Sequence, residues 1–241
     1  INVQDIVRLV DAVLGFSELN ENEFQAADYN QDGNTDVQDI VEIVSIVLGN
    51  QLARGEITSS VTLFHGSGQV YYESDGNIAG FQLMVSGEYS ITKNYLPEGW
   101  EFKKSDKVIL IYSLDGSSLN SSKLFDYDGE LNIMSIIASD WYTSDIATSS
   151  IILPTEYALQ PAYPNPFNPI TNIKFEIPIS SKVIIQIFDI EGRLVETLYD
   201  KKIDAGYYSV IWDGKMMPSG LYFIRLSSEN FHSHQKIILM K

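Results

Sequence analysis

Oxygen-bearing side chains recur at fixed intervals in Asp28-Tyr-Asn30-Gln-Asp32-Gly33-Asn34-Thr-Asp36-Val-Gln-Asp39. Counted from Asp28 they stand at positions one, three, five, nine and twelve, and Gly33 stands at six. Calcium is a hard cation that takes about six to eight oxygens, and a twelve-residue loop of this spacing folds such donors onto one centre. The sharp turn at position six opposes any side chain, hence the glycine. The spacing predicts side-chain ligation by Asp28, Asn30 and Asp32 and ligation by Asn34 through its carbonyl. Asp36 is expected to act directly or through water, and Asp39 is the closing carboxylate. An acidic turn between two helices would need neither the spacing nor the glycine.

The elements that position this loop are helical. Val37, Ile40, Val41, Val44, Val47 and Leu48 follow the helical period, so an amphipathic helix starts inside the loop and stops at Gly49. The same words occur thirty-four positions earlier, where Val3-Gln4-Asp5-Ile6-Val7 matches Val37-Gln38-Asp39-Ile40-Val41. Such self-similarity signals a duplication. In that register Ile1 takes loop position eight and Asp5 position twelve, so a first loop is expected to be cut short, with Asp5 and Asn2 its remaining oxygen donors.

A duplicated loop-helix unit that closes each loop with Asp resembles the dockerin module over residues 1–50. The resemblance implies docking onto a cohesin-like domain, in cis or in trans, with calcium as the structural ion. It also assigns partner selection to the residues before each closing Asp, here Val3, Gln4, Val37 and Gln38, where Val-Gln departs from the small hydroxyl residues frequent in that family. Ile43 and Ile46, with their counterparts Leu9 and Ala12, widen the apolar faces and are expected to pack against a following sandwich or another copy of it.

Beyond a polar stretch at 50–60 the period changes to that of short strands. Strands are expected over 61–64, 70–72, 78–85, 107–114, 131–138 and 146–153, with turns at Ser74-Asp75-Gly76-Asn77, Pro97-Glu98-Gly99, Asp115-Gly116 and Asp128-Gly129. This predicts a β-sandwich over 57–154. Ile78-Ala-Gly-Phe81-Gln-Leu-Met-Val85 and Gly129-Glu-Leu-Asn-Ile-Met-Ser-Ile136 resemble strands of cohesin-like sandwiches, and a generic sandwich fits the same pattern.

The last third opens with Tyr163-Pro164-Asn165-Pro166-Phe167-Asn168-Pro169, a rigid extended lead-in rather than an interior strand. Six strands follow over 173–177, 183–188, 194–198, 207–212, 220–226 and 235–240, the pattern of an immunoglobulin-like sandwich over 157–241. The proline run, Phe188-Asp-Ile-Glu-Gly-Arg193, Trp212-Asp213-Gly214, Ser219-Gly220-Leu-Tyr222-Phe223 and the terminal Lys236-Ile-Ile-Leu-Met-Lys241 together resemble the C-terminal sorting domain of the type IX secretion system. That resemblance implies recognition by the type IX machinery and a secreted or cell-surface location, with the terminal strand as the recognised surface.

The fold class expected for the whole chain is mainly β and multidomain: a small all-α EF-hand-like dockerin module, then two β-sandwiches, the last immunoglobulin-like. A net charge of −16, with 16 Lys and Arg against 32 Asp and Glu, argues against partners such as nucleic acid or anionic membrane surfaces. There is no cysteine and no apolar run long enough for a membrane-spanning segment. Catalysis has little to stand on. The three histidines, His65, His232 and His234, include none beside a nucleophile, and Asp126 with Asp128 reads as a hydrated turn or a minor second calcium site. The expected function is therefore non-catalytic: calcium-dependent protein interaction joined to a sorting signal in a larger secreted protein. The alternative is a carbohydrate-binding or adhesive module of an extracellular hydrolase, using Tyr71, Tyr72, Trp100 or Trp141.

Overall fold

The computed structural model describes residues 2–49, 56–119, 121–142, 144–229 and 231–241. They form two compact units, Ile1–Ile152 and Leu153–Lys241. The first unit begins with three helices, α1 (Val3–Val13), α2 (Glu21–Ala27) and α3 (Val37–Leu48). Each begins on a side-chain cap. Asn2 and Asp36 head α1 and α3, and in both the closing Asp of the repeat, Asp5 or Asp39, bonds back to the cap's N–H. The duplication is thus visible as two equivalent capping boxes, and Asn2 and Asp5, expected as remnants of a first loop, serve α1 in this way. Ile1 and residues 50–55 of the expected linker lie outside the described residues.

Nine strands follow: β1 (Ser60–Gly66), β2 (Gln69–Ser74), β3 (Gly80–Ser86), β4 (Tyr89–Asn94), β5 (Trp100–Lys104), β6 (Val108–Ser113), β7 (Lys123–Gly129), β8 (Asn132–Ser139) and β9 (Ala147–Ile152). They make a five-stranded sheet ordered β4-β7-β2-β1-β9 and a four-stranded sheet ordered β5-β6-β3-β8. All pairs are antiparallel except β1 with β9. Strands β4, β5 and β7 are absent from the sequence expectation. The first two are sheet edges, whose polar outer faces blur the alternation that betrays a strand. The third hides behind Asp126 and Asp128, which lie in β7 rather than in a turn; Asp126 accepts from the Tyr95 hydroxyl at 2.6 Å and pairs with Lys123 at 2.7 Å. Those contacts spend Asp126 on structure, against the minor calcium site.

Between the sheets lie Leu63, Val70, Phe81, Leu83, Ile109, Ile111, Leu124 and Phe125. Strand β6 is buried at all six positions, because its other face is covered as well. There Val108, Leu110 and Tyr112, with Ala79 and Trp141, join a second core with Ile6, Leu9, Val10, Val37, Ile40, Val41 and Val44. The helices therefore belong to the same compact unit as the first sandwich. Its polar entry is pinned too: Asp75 accepts from the backbone N–H groups of Ser59 and Ser60 at 2.9 and 3.0 Å, and buried Asp140 accepts from Thr58 N at 3.1 Å.

The second unit comprises β10 (Ala158–Leu159), β11 (Ile170–Ile177), β12 (Ser181–Phe188), β13 (Leu194–Ile203), β14 (Gly206–Asp213), β15 (Gly220–Ser228) and β16 (Phe231–Leu239). Sheets β10-β11-β14 and β13-β12-β15-β16 enclose Ile173, Phe175, Ile185, Ile187, Ile224 and Leu226. Trp212 anchors this core, its ring 5.3 Å from that of Phe167 and 5.0 Å from that of Tyr222, while its Nε1 donates to Glu196 at 3.1 Å. The proline-rich lead-in has a structural task that its composition concealed. Its Tyr163-Pro164, Asn165-Pro166 and Asn168-Pro169 bonds are cis. Asn165 accepts from Ile238 N at 3.0 Å and donates to the Lys236 carbonyl at 3.1 Å, and the Phe167 N–H donates to the Ile238 carbonyl at 2.9 Å. The lead-in thus covers part of the outer edge of β16.

Trp212→Ala removes two ring contacts and a buried indole, and should lower the stability of the second unit by roughly 3–5 kcal/mol. Urea unfolding followed through a probe in that unit measures the loss.

Candidate functional site

The loop between α2 and α3 folds inward on its carboxylates. Asp28 accepts from Asp32 N and Gly33 N, each at 3.0 Å, and Asp32 accepts from Asn34 N at 2.8 Å. Asn30 accepts from Asp32 N at 3.0 Å, and its amide donates to Gln38 at 3.4 Å. Gly33 turns with a φ of 88°, in the left-handed region that a side chain resists. Asp39 is fully buried and ties three parts of the loop together: it accepts from Tyr29 N at 2.7 Å, Asn30 N at 3.3 Å and Asp36 N at 2.9 Å. The expected closing carboxylate is thus also the hub of the loop.

The electrostatics of this arrangement are unfavourable for bare carboxylates. Burial pushes the Asp36 carboxyl up to about 6, and the charges of Asp39, Asp32 and Asp28 add to the rise against the N–H donated by Gln38. Burial raises Asp39 as well, and it raises Glu42, where the charge of Asp39 contributes. Arg8, the cation of the first repeat, is engaged by Glu23 at 3.2 Å. Among the described residues no three acidic, imidazole or thiol groups are drawn together closely enough to hold a metal ion by themselves. The donor set nevertheless suits a hard cation. It mixes carboxylates with the side-chain amide oxygen of Asn30 and the carbonyl of Asn34, and calcium accepts all of these.

The loop sets the first turn of α3, and that turn seats on the sandwich. The Val37 N–H donates to Gln82 Oε1 of β3 at 3.2 Å. Gly80 lies beneath the helix: a Cβ there would come within 2.7 Å of Val37 Cγ2 and 3.1 Å of Val41 Cγ2. The two repeats are therefore used unequally. Val37 is fully buried at the contact, and Gln38 is half-buried against the loop, whereas Val3 and Gln4 are exposed. Ile43 is buried, but it lines a cleft of about 300 Å³ with Leu9, Leu19 and Ala27 inside the helical module. Ile46 is 40% exposed. Of the two residues expected to pack on this sandwich or another copy of it, Ile46 is thus open to solvent here, while Ile43 belongs to the buried cluster that Ala79, Val108 and Leu110 also join. Helix α3 meets the sandwich through Val37 and Val41, because its rotation is fixed by the close approach over Gly80. Gly80, Gln82 and Trp141 escaped the sequence reading as docking residues, although Val108-Ile-Leu-Ile-Tyr112, apolar without alternation, signals a strand covered on both faces. Of the aromatics considered for carbohydrate, Tyr72, Trp100 and Trp141 are buried, and Tyr71 stacks on Phe64 at 4.7 Å.

Residues 161–240 match the family of secretion system C-terminal sorting domains. The protein is exported by the type IX route, to the medium or the cell surface. No curated protein matches the chain. Similar solved structures include dimeric latent PorU from Porphyromonas gingivalis, 13% identical with a TM-score of 0.31, over 77% of this chain and 19% of that one. A DUF3823 family protein from Parabacteroides merdae is 14% identical with a TM-score of 0.24, over 76% and 98% of the two chains. An immunoglobulin tandem of titin is 7% identical with a TM-score of 0.29, over 77% and 95%. The chain spans about a fifth of the PorU structure.

Two outcomes follow from the geometry. Gly80→Val should lift α3 from β3 at a cost of roughly 1–3 kcal/mol, seen as faster amide exchange in α3 while β1 and β2 stay protected. The raised Asp36 sets a pH dependence. Because its folded value exceeds that of the unfolded chain, the contribution of Asp36 to the stability of the metal-free protein is greatest below the ordinary aspartate value and declines as pH rises from there through about 6. Melting curves of chelator-treated Asp36→Asn should show a smaller decline than the parent over that range, the remainder coming from Asp39 and Glu42.

Proposed function

We propose that the first unit is a calcium-stabilised, dockerin-like helical module docked in cis on a cohesin-like sandwich, and that the chain is a non-catalytic region of a larger exported protein. The observation that carries this reading is the continuity from loop to contact: Asp36 and Asp39 fix the first turn of α3, and Val37, between them in sequence, is the residue that seats on Gly80 and Gln82. Asp28, Asn30, Asp32, Asp36 and Asp39, with the carbonyl of Asn34, would hold the ion. Bound calcium supplies positive charge that offsets the mutual repulsion of these carboxylates. Since only the folded loop gathers them, the ion adds stability by mass action. The contact of α3 with β3, β6 and β8 occupies Val37, one of the positions that the resemblance assigns to partner selection, which supports docking within the chain. The second unit would present the whole to the type IX machinery, with β16 and its proline-rich brace as the part engaged.

Calorimetric titration of calcium into chelator-stripped protein tests the loop. Asp28→Ala and Asp32→Ala should each weaken binding at least tenfold, and the affinity of the parent should fall as pH drops below about 6, where protons compete for Asp36. An affinity untouched by both substitutions would remove the site.

A further inference from the structure

The net charge is not spread over the two units. Residues 1–152 carry 7 Lys and Arg against 23 Asp and Glu, which accounts for all of the −16, and residues 153–241 carry 9 against 9. Within the neutral second unit two of the nine Lys and Arg, Arg225 and Lys236, share one sheet face with His232 and His234. Strand pairing aligns three rows on the outward side of the β13-β12-β15-β16 sheet. One reads Leu194, Phe188, Phe223, Lys236; the next Thr197, Gln186, Arg225, His234; the third Asp200, Ile184, Ser227, His232. Strands β12, β15 and β16 contain no carboxylate at all. The acidic groups around this face are at its margins. Asp200 is paired with Lys182 at 3.1 Å, Asp189 and Glu191 are held by Arg193 at 2.7 and 2.8 Å in the β12–β13 turn, and Glu229 lies in the β15–β16 turn.

Arg225 stands at the centre of the rows. Its guanidinium lies 4.4 Å over the Phe188 ring and donates to Gln186 at 2.6 Å, and the Nε atom is buried without a hydrogen-bond partner. No carboxylate faces it from either neighbouring strand; His234 does. Beside it Phe223 is 38% exposed and Leu194 52% exposed, with Lys236 at the end of their row. Cations alternating with exposed aromatic and aliphatic groups on one face match a lipid headgroup region, where phosphates meet the charges and the boundary of the acyl layer meets the rings. An acidic protein surface would complement the charges and leave the apolar row without a use.

We propose that this outward face of β12, β15 and β16 is a contact surface for phosphate-bearing lipid headgroups, through Arg225, His232, His234 and Lys236 with Phe223 beside them. Such a contact would hold the second unit against the membrane surface that an exported protein reaches, while the strongly acidic first unit is repelled from it. This surface is separate from the calcium loop, and nothing in the proposal depends on calcium.

The test is co-sedimentation of the full chain with vesicles of phosphatidylcholine alone or mixed with phosphatidylglycerol, at low and at physiological salt. Binding to the mixed vesicles only, weakened by salt, is expected despite the net charge. The double variant Arg225→Gln, Lys236→Gln should lose about twenty-fivefold, at about fivefold for each cation removed. The charge-matched control Lys103→Gln, Lys174→Gln, on other faces, should bind as the parent does, and circular dichroism checks that all three proteins are folded. Equal binding to both vesicle types, no binding to either, or equal losses in variant and control would each overturn the proposal. Salt-sensitive self-association without vesicles, abolished in the same double variant, would also overturn it in favour of the acidic unit of a second copy.

Discussion

Strand β6 is buried at every position and β3 from Gly80 to Leu83, and the first unit is arranged around that constraint. A sandwich covers only one side of each sheet. Phe81, Leu83, Ile109 and Ile111 point into the sandwich, while Val108, Leu110, Tyr112 and Ala79 would be left in water without α3. Covering them requires the helix to come close, and Gly80 permits this by lacking a side chain where Val37 and Val41 pass. The Val37 N–H, buried at the first turn of the helix by this close approach, is met by Gln82. A buried donor left unmet would cost about as much as a lost hydrogen bond, so the glutamine belongs to the contact as much as the apolar residues do.

The same contact explains why two nearly identical repeats behave differently. Both have a capping box, an apolar stripe and a terminal glycine. The cap of the second is formed by the end of a carboxylate loop wrapped around Asp39 and its leading Val37 is buried, whereas Val3 of the first is exposed. The first repeat packs on α3 through Ile6, Leu9 and Val10 and leaves Val3 and Val7 in solvent. Duplicated sequence thus yields one helix that docks and one that supports it.

Charge and apolar surface divide the chain in the same way. The acidic half gathers its carboxylates near the loop at the cost of raised proton affinities, an arrangement that a divalent cation would relieve. The second unit is neutral in sum, with Arg225, Lys236 and Phe223 on the outward face of one sheet and Trp212 fixing the core behind it. Its proline-rich lead-in folds back along β16, so the segment that precedes the sandwich in sequence guards the edge of its last strand.

Much of this was legible in the residues themselves. Loop spacing, the helical period from Val37 to Leu48, Gly33 and Gly49, and the strand and turn pattern of the last third are local properties, fixed by backbone geometry and by neighbours a few positions away. The order of motifs in the last third also carried the export route. What the sequence left open depended on partners far along the chain. Which face of α3 is buried, whether Ile43 looks at sandwich or helix, whether Trp141 is a surface or a core residue, and what Asn165 is for are all decided by contacts spanning tens of residues. The cationic rows of β12, β15 and β16 are of that kind too: Gln186, Arg225 and His234 are remote in sequence, and only strand register sets them side by side.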